Sequence, residues 1–374
     1  MCIVKRMNAL TTTTNAPAGG LLQRLLQPIL SVETFDFWAS RLNRTWRWQT
    51  PMARIEGREP ASANAVTLLL KPNAHWAGHV AGQHLSLTAE VDGRRITRSY
   101  SPCDAPRPDR RIPLTVQRVD GGKLSTWLCE HARIGEVVEL RPAFGAMTPA
   151  ILPPAPLLLL AAGSGITPMM AIVRALAAQG MPQPVTLLYW TRTRAQRCFV
   201  QALRTIASAH AHFRVSFVLT GEAAQQADES TGRIGTGTLL DQVSGLAQRQ
   251  VYACGGSGFV DQAHALLTHR VAGLQSESFT PALPRRDDAG TATVRLAVSG
   301  RTIHVARGVP LLAALEAQGV SPPYGCRMGI CNTCRCEKLS GSTRDLLSGE
   351  RHDASAAALK LCQHGAAGDL VLAL

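Results

Sequence analysis

Hydrophobic and polar positions alternate with the period of β-strands through the first part of the chain. Short runs rich in β-branched residues, including residues 65–70, 84–89 and 114–119, are separated by glycine and proline. A period of two places successive side chains on opposite faces of a strand, and turn residues between such runs favour antiparallel connections. The pattern predicts an antiparallel β-barrel domain over residues 51–150.

Apolar runs alternate with helix-like stretches in the next part of the chain. A helix is predicted over residues 168–179. The apolar runs that we interpret as buried strands occupy residues 157–161, 185–190, 215–219 and 251–253. Strands that alternate with helices favour a doubly wound α/β sheet, so we assign residues 151–280 to a second domain.

The two ends of the chain differ from these domains. Residues 1–18 are polar and rich in threonine, alanine and glycine, which predicts disorder, and residues 19–49 carry apolar positions at helical spacing. We therefore expect an N-terminal extension over residues 1–50, partly disordered and then helical. Residues 281–290 are rich in proline and charge and are predicted to be a linker, and residues 291–374 form a small mixed α+β domain.

Composition favours a soluble, cytoplasmic protein of several domains. A length of 374 residues is enough for two to three domains, and no apolar run reaches the roughly 18 residues that span a bilayer. The ten cysteines are not spaced as a disulfide framework. Residues 1–14 lack the continuous apolar core of a signal peptide.

The net charge of +13 changes the choice of partners only slightly. Arginines are spread over the whole chain instead of forming one stripe, so a nucleic-acid partner is disfavoured. Acidic small molecules such as nucleotides, an acidic protein partner and an anionic membrane surface all remain compatible with this charge.

Four cysteines in the last domain have the spacing of plant-type [2Fe-2S] ligands: Cys326, Cys331, Cys334 and Cys362. Four, two and twenty-seven residues separate successive members of this set. Zinc sites usually pair two short Cys/His units across a longer gap, whereas three of these cysteines share one loop, so zinc is the weaker interpretation. The spacing indicates an electron carrier.

Two glycine-rich segments begin where predicted strands of the second domain end. Gly163, Gly165 and Thr167 lie between an apolar strand and a helix, where free N–H groups and the positive helix end favour a pyrophosphate. Cys254 and Gly255 follow another strand and should lie on the same sheet edge. A tight turn without a ligand is the alternative for either segment alone.

The barrel domain contains two candidate phosphate-binding stretches. Arg98, Ser99, Tyr100 and Ser101 combine a cation, an aromatic ring and small hydroxyls on one predicted strand. Alternation places Arg98 and Tyr100 on one face, where a guanidinium can bind phosphate and a phenol can stack on a planar ring. The second stretch precedes a helix-like run and consists of Gly122, Lys123, Leu124, Ser125 and Thr126. Three nearby histidines are expected to be barrel-loop residues instead of metal ligands: His75, His79 and His84.

Taken together and in this order, these motifs resemble the ferredoxin–NADP reductase superfamily, in the branch with a ferredoxin domain fused after the nucleotide domain. The resemblance covers about residues 51–374. It implies a flavin-binding barrel, a NAD(P)-binding domain and a ferredoxin-like β-grasp domain. It also implies an activity, which is hydride transfer from NAD(P)H to a flavin followed by single-electron steps through the cluster to an external acceptor.

The resemblance further implies roles for individual residues. Arg98 is expected to contact the flavin phosphate, Tyr100 to pack on the flavin, and Ser101 to lie near its reactive ring nitrogen. Further cofactor-binding positions are expected at Ser99, Gly122, Lys123, Leu124, Ser125, Thr126, Gly163, Gly165, Thr167, Cys254, Gly255 and Phe279. The expected catalytic group consists of Ser101, Thr167 and Cys254. Two positions depart from the family pattern, because Asn332 and Gly256 replace a usual glycine and a usual proline.

Cofactor identity depends on finer signals. The residues 122–126 stretch resembles the FAD-binding type more than the FMN-binding type, so FAD is predicted. Arg192, Arg194 and Arg197 follow the second strand of the nucleotide domain, where strict NADH use would favour an acidic residue, and they favour NADPH through its 2′-phosphate. A solvated helix start is the alternative interpretation of these arginines.

The electron acceptor is the least determined part of this prediction. Aromatic and basic residues interleave in the extension, which favours either a peripheral contact with the inner membrane face or packing on the protein itself. With the domain order, the extension resembles reductases that supply membrane fatty-acyl desaturases. The alternatives are a reductase for a Rieske or diiron oxygenase and a redox sensor without turnover.

Overall fold

The computed structural model describes residues 32–149, 155–235, 240, 243–280, 290–329 and 331–374. The chain divides into two units, Met1–Gln49 and Thr50–Leu374. The disorder predicted for residues 1–18 lies outside the described residues, as does most of the predicted linker. No helix in the described part of the chain is both long and apolar enough to cross a membrane.

Helix α1 (Val32–Leu42) is the described regular element of the first unit. The backbone N–H of Trp48 donates to Asp36 Oδ1 at 2.6 Å, and the rings of Phe35 and Trp48 meet edge to face at 5.0 Å. The Arg41 guanidinium lies 4.1 Å from the centre of the Phe37 ring. These contacts fold residues 43–48 back along the helix.

The barrel domain is built from one six-stranded antiparallel sheet in the order β4-β3-β6-β1-β2-β5. Its inward side chains form one apolar core, and a short helix, α2 (Lys123–Thr126), continues into a π-helical turn over residues 127–131. The strands are β1 (Met52–Ser62), β2 (Ala65–Pro72), β3 (Leu85–Val91), β4 (Arg94–Tyr100), β5 (Ile112–Gln117) and β6 (Val137–Leu140). The predicted antiparallel architecture is confirmed.

The nucleotide domain contains a parallel sheet in the order β10-β9-β8-β7-β11-β12. Its strands are β7 (Leu157–Ala162), β8 (Val185–Thr191), β9 (Phe213–Leu219), β10 (Glu229–Thr231), β11 (Gln250–Gly255) and β12 (Gly273–Ser278), and its helices are α3 (Ile166–Ala177), α4 (Val200–Ala209) and α5 (Ser257–Leu267). The strand order reverses between β7 and β11, so a crevice opens beyond the carboxyl ends of these strands. Alternate β7 side chains enter separate apolar cores on the two faces, as a doubly wound sheet requires.

The last domain has a mixed sheet in the order β14-β13-β18-β15-β16, in which β13 and β18 run parallel and β17 pairs with β15. The strands are β13 (Thr291–Leu296), β14 (Thr302–Ala306), β15 (Arg335–Asp345), β16 (Arg351–His352), β17 (Ala356–Lys360) and β18 (His364–Leu372), and helix α6 (Leu311–Ala317) covers one side. The cysteine loop connects α6 to β15. The predicted α+β class is confirmed.

Candidate functional site

The four spaced cysteines converge in the last domain as two pairs. Cys334 Sγ lies 3.2 Å from Cys362 Sγ, although 27 residues separate them, because Cys362 lies between β17 and β18, which both pair with the strand that follows Cys334. Cys326 and Cys331 face each other across the loop. In the described residues no group of three or more His, Cys, Asp or Glu side chains surrounds a single metal-ion position. Two pairs of thiols suit the two irons of a [2Fe-2S] cluster better than one zinc ion.

Backbone N–H groups of the loop point at these sulfurs. Cys326 N–H donates to Cys331 Sγ at 3.2 Å, and Gly329 N–H donates to Cys362 Sγ at 3.1 Å. A Cβ at Gly325 would lie 2.9 Å from Cys331 Sγ, so only glycine allows this approach. Asn332 adopts φ +58°, a left-handed conformation that asparagine tolerates, which explains how it replaces the usual glycine.

Each thiol pair shares a proton unequally. The hydrogen bond with Cys326 lowers the pKa of the Cys331 thiol to about 5, and the hydrogen bond with Cys362 lowers the pKa of Cys334 to about 7. The same contacts raise the pKa of Cys326 and Cys362. Each pair therefore readily presents one thiolate, and thiolate is the form that binds iron. The donor set fits a [2Fe-2S] cluster.

The predicted flavin strand is β4. Arg98 is exposed, and its Nη1 donates to the Thr97 carbonyl at 2.8 Å. Tyr100 packs against the barrel core, and burial raises the pKa of its phenol. The hydroxyl groups of Ser99 and Ser101 are buried and have no hydrogen-bond partner among the described residues. Buried hydroxyls without a partner on this strand fit a bound polar ligand such as a flavin.

The second predicted phosphate stretch forms helix α2 and the turn before it. Ser125 Oγ donates to the Gly122 carbonyl and accepts from the Val119 N–H, each at 3.2 Å, so this hydroxyl closes the turn. A Cβ at Gly122 would lie 2.5 Å from Ser125 Oγ. Leu124 is buried in the barrel core. Lys123 and the backbone of the turn remain the groups best placed to meet a phosphate.

Replacing Arg98 with alanine is expected to release flavin. The change removes a charge-assisted contact worth about 1.5–3 kcal/mol, so the purified variant should be partly depleted of flavin and regain activity when flavin is added. Flavin content per protein, from visible absorption after dilution, measures the effect. Arg94→Ala is the matched control, since Arg94 is an exposed arginine at the far end of β4. Equal flavin retention in both variants would assign Arg98 another role.

The two glycine-rich segments of the nucleotide domain meet at the carboxyl ends of β7 and β11, which are paired neighbours. Gly163 adopts φ +54° and opens a single 3₁₀ turn that leads into α3. A Cβ on Gly165 would lie 2.0 Å from the Cys254 carbonyl oxygen. The close approach of the two backbones therefore depends on this glycine.

Thr167 and Cys254 lie at this junction but are buried. The Thr167 hydroxyl donates to the Ser164 carbonyl at 3.0 Å and tightens the turn. Cys254 has no exposed surface, and burial, followed by the nearby Glu277 charge, raises the pKa of its thiol. Cys254 is therefore a buried, neutral thiol at the junction of the two glycine-rich segments.

A buried pair joins the barrel to the nucleotide domain. His84, just before β3, places Nε2 2.9 Å from Glu277 Oε2 near the end of β12, and the side chains are 1% and 7% exposed. Phe279 meets the His84 ring edge to face at 5.5 Å, and its N–H donates to the Gly255 carbonyl at 2.8 Å. Sequence reasoning treated His84 as an ordinary loop residue. Its partner is more than 190 residues away, so no local pattern could reveal the pair.

A cavity of about 460 Å³ opens at the carboxyl edge of the sheet. Gln117 of the barrel, Gly163 and Gly258 contribute small or polar walls, and Trp190 and Phe259 contribute aromatic ones. Two arginines line it, Arg192 after β8 and Arg233 after β10. Arg233 was not among the residues predicted from sequence, because it lies 36 residues beyond Arg197, the last arginine of the predicted cluster.

The other two predicted arginines point elsewhere. Arg194 Nη2 lies 2.6 Å from Glu229 Oε2, and Arg197 Nη1 lies 2.7 Å from Glu229 Oε1. Glu229 has a fully buried side chain, and its hydrogen bonds, that from Arg194 foremost, lower its pKa to about 2. Arg194 also pairs with Glu222. Both guanidiniums therefore hold the loop between β9 and β10 and do not line the cavity.

A second cavity, of about 430 Å³, lies between the cluster loop and the carboxyl end of β12. Gly145 and Glu277 form one wall, and Met328, Gly329 and Asn332 of the cluster loop form the other. Gly329 is the residue whose N–H contacts Cys362 Sγ. The cluster loop and Glu277 of the buried pair therefore line the same cavity.

Three family models match consecutive parts of the chain. The oxidoreductase FAD-binding domain matches residues 53–148, the oxidoreductase NAD-binding domain matches residues 159–265, and the 2Fe-2S iron-sulfur cluster binding domain matches residues 294–366. Together they account for the three folded domains in the observed order.

Whole-chain relatives have the same organisation. The chain is 32% identical to an NADPH oxidoreductase of Mycobacterium tuberculosis, over 93% of this chain and 90% of that protein. It is 33% identical to the ferredoxin reductase component of 3-ketosteroid-9-alpha-monooxygenase from the same species, over 76% of this chain and 82% of the relative. The structure of phthalate dioxygenase reductase shares the fold, with a TM-score of 0.53 and 23% identity, over 86% of this chain and 97% of that one.

Proposed function

Because the chain belongs to the ferredoxin–NADP reductase family of flavoprotein reductases and carries a [2Fe-2S] ferredoxin domain after its nucleotide domain, we propose that it is the reductase component of an oxygenase. Its activity as an NAD(P)H-dependent oxidoreductase with FAD follows from the family. The proposal adds the destination of the electrons, which is a separate oxygenase protein.

The cavity between the cluster loop and Glu277 carries this proposal. One protein holds the hydride-accepting site and the one-electron site, and Gly329 and Glu277 line the same space. A ferredoxin domain in this position removes the need for a separate ferredoxin between flavin and acceptor. The acceptor then has to meet the cluster domain itself.

The relatives favour an oxygenase over a desaturase as acceptor. The ketosteroid relative is named as the reductase component of a monooxygenase, and the shared fold includes a dioxygenase reductase described as transferring electrons from pyridine nucleotides to [2Fe-2S]. The hypothesis of a desaturase partner, which the sequence analysis preferred, has no comparable support among the relatives described above. The oxygenase alternative therefore replaces it as the main proposal.

The chain's own residues bind, orient and shield. A bound flavin would supply the change from two-electron to one-electron chemistry, between a hydride donated by NAD(P)H and single electrons delivered to the cluster. Arg98 and the turn before α2 hold phosphate groups, and Tyr100 supports the flavin ring. The close contact of Gly165 with Cys254 and Gly255 shapes the floor on which the nicotinamide lies. The His84–Glu277 pair closes the flavin side toward the cluster domain.

For the nucleotide, the proposal is a preference for NADPH through Arg192 and Arg233. Both arginines line the carboxyl-edge cavity, and Arg194 and Arg197, which pair with Glu229, do not line it. A planar guanidinium is well suited to bind a phosphate dianion. The relative named as an NADPH oxidoreductase supports the same preference. NADH lacks the 2′-phosphate, so it offers these two arginines no comparable anion to bind.

Arg192→Ala and Arg233→Ala are each expected to raise the Michaelis constant for NADPH by about tenfold or more, consistent with loss of a charge-assisted contact, with little change for NADH. Stopped-flow flavin reduction with each nucleotide gives the values. Arg204→Ala is the control, because Arg204, on α4, pairs with Asp228 and does not line the cavity. Equal effects on both nucleotides would remove the phosphate role.

A reconstitution experiment tests the function. The holoprotein is reduced with NADPH without oxygen, the cluster signal is followed by electron paramagnetic resonance, and purified Rieske and diiron oxygenases are then added with substrate and oxygen. NADPH oxidation coupled to product formation supports the proposal. Coupling only to a membrane desaturase would restore the desaturase reading, and reduction without steady turnover even of cytochrome c would indicate a sensor.

A further inference from the structure

A third cavity, of about 380 Å³, lies at the opposite edge of the nucleotide-domain sheet. The strands β8 and β9 begin here, whereas the carboxyl-edge cavity lies where they end. Thr186 of β8 is paired with Arg214 of β9, and Leu188 with Ser216, so these four side chains share one face. The segment before β11 covers them with Val243, Ser244 and Arg249.

The charge in this cavity is of one sign. Its walls carry Arg214, Arg249 and His212 and the hydroxyl groups of Thr186, Ser216 and Ser244, and none of the described lining residues is acidic. Neither arginine has a carboxylate within salt-bridge distance in the described part of the chain. Other arginines of this domain, such as Arg194 and Arg197, instead form ion pairs with a nearby carboxylate.

Arg249 forms the floor of the cavity and is only 6% exposed. Its Nε donates to the Ser244 carbonyl at 3.0 Å, and its Nη1 donates to the Leu157 carbonyl at 2.8 Å. No described residue accepts from its Nη2. Burial, together with the charge of Arg214, lowers the pKa of this guanidinium. A buried cation that faces a second cation and only neutral acceptors is unfavourable unless an anion compensates for it.

We propose that this cavity is a second anion site, which binds a small phosphate-bearing molecule between Arg249 and Arg214. Two guanidiniums and three hydroxyl groups provide the donors that a phosphate accepts. Leu188 and Val243 provide an apolar wall for an organic portion. The cavity volume falls within the roughly 300–1,000 Å³ range of small-molecule sites. The site is separate from the redox centres, so it does not depend on the proposed function.

Titration of the complete FAD- and cluster-loaded protein tests the site. NADP⁺ is kept saturating so that the carboxyl-edge cavity is filled, and inorganic phosphate, glycerol 2-phosphate and acetate are titrated at matched ionic strength by calorimetry. We expect saturable binding of both phosphates and none of acetate. Tighter binding of glycerol 2-phosphate would identify an organic phosphate as the ligand, and equal binding would identify free phosphate. Saturable acetate binding, or no saturable phosphate binding, would overturn the proposal.

Arg214→Gln is the decisive variant, because Arg214 is exposed on β9 and its loss is expected to leave the fold intact. Phosphate affinity is expected to fall about tenfold or more, while flavin reduction by NADPH is unchanged. Arg295→Gln removes the same charge from an exposed strand position in the cluster domain and should leave phosphate binding intact. Arg249→Lys keeps the charge but loses the planar donor geometry, so its binding should also weaken. Unchanged affinity in Arg214→Gln would show that the phosphate binds elsewhere.

Discussion

Cys331→Ser is expected to abolish the cluster's visible absorption and its reduced-state resonance signal, while flavin reduction by NADPH proceeds at nearly the normal rate. The serine oxygen replaces the sulfur that accepts the Cys326 N–H and that most readily forms a thiolate in its pair. A cage with three thiolates binds a [2Fe-2S] cluster far more weakly. The carboxyl-edge cavity and strand β4 lie in other domains, so hydride transfer is not expected to require the four cysteines. Electron delivery to cytochrome c or an oxygenase should fall to background.

Cys336→Ser is the matched control for this variant. Cys336 is also buried in the cluster domain, on β15 two residues after Cys334, but its Sγ faces the Glu337 carbonyl at 3.4 Å and lies outside the cage. This variant should keep the cluster. A flavin-loaded Cys331→Ser protein that also loses flavin reduction would contradict the separation of the two sites. Cluster loss in Cys336→Ser would contradict the ligand assignment.

Gly165→Ala is expected to destabilise the nucleotide domain severely and to slow flavin reduction. The new Cβ would lie 2.0 Å from the Cys254 carbonyl oxygen and 2.9 Å from the Gly255 nitrogen, which are backbone atoms that cannot rotate away. Cys254 is held between β7 and β12 by pairing on both sides, so the turn or the strand must shift. Overpacking of this kind costs about 1–3 kcal/mol or more. Thermal unfolding and the Michaelis constant for NADPH measure the two effects.

Gly256→Ala separates the close approach from a general intolerance of change in this motif. Gly256 has φ −69°, which any residue adopts, and among the described residues a Cβ there would meet only Thr280 Oγ1, at 3.8 Å. Its unfolding temperature and NADPH kinetics should stay close to those of the unmodified protein. Equal damage from both alanines would mean that the segment is sensitive for a reason other than the contact between Gly165 and Cys254.

Sequence reasoning was most successful where the chemistry depends on local spacing. Cys326, Cys331 and Cys334 share one loop, so their separation along the chain fixes which residues can surround a cluster. Gly163 and Gly165 likewise act within one turn between a strand and a helix. Alternation of apolar residues and the strand–helix order were sufficient to predict three domains of the observed classes, because side-chain periodicity follows directly from backbone geometry.

It was least successful where a side chain's partner is distant. The arginines after β8 form one cluster in the sequence, but their contacts differ. Arg192 lines the carboxyl-edge cavity, whereas Arg194 and Arg197 pair with Glu229, the first residue of β10. Charge in a sequence does not reveal which cation is already neutralised.

Local patterns were enough to indicate the iron-sulfur cluster and the order of the domains, and the resemblance that these motifs carry implied the flavin. Which residues meet across the chain became visible in the folded protein alone. It placed His84 against Glu277, brought Arg233 and Arg192 to one cavity, and placed Arg214 and Arg249 in another whose described lining residues include no acid. The physical reason is that burial and charge pairing depend on contacts between strands that are adjacent in the sheets but far apart in the chain.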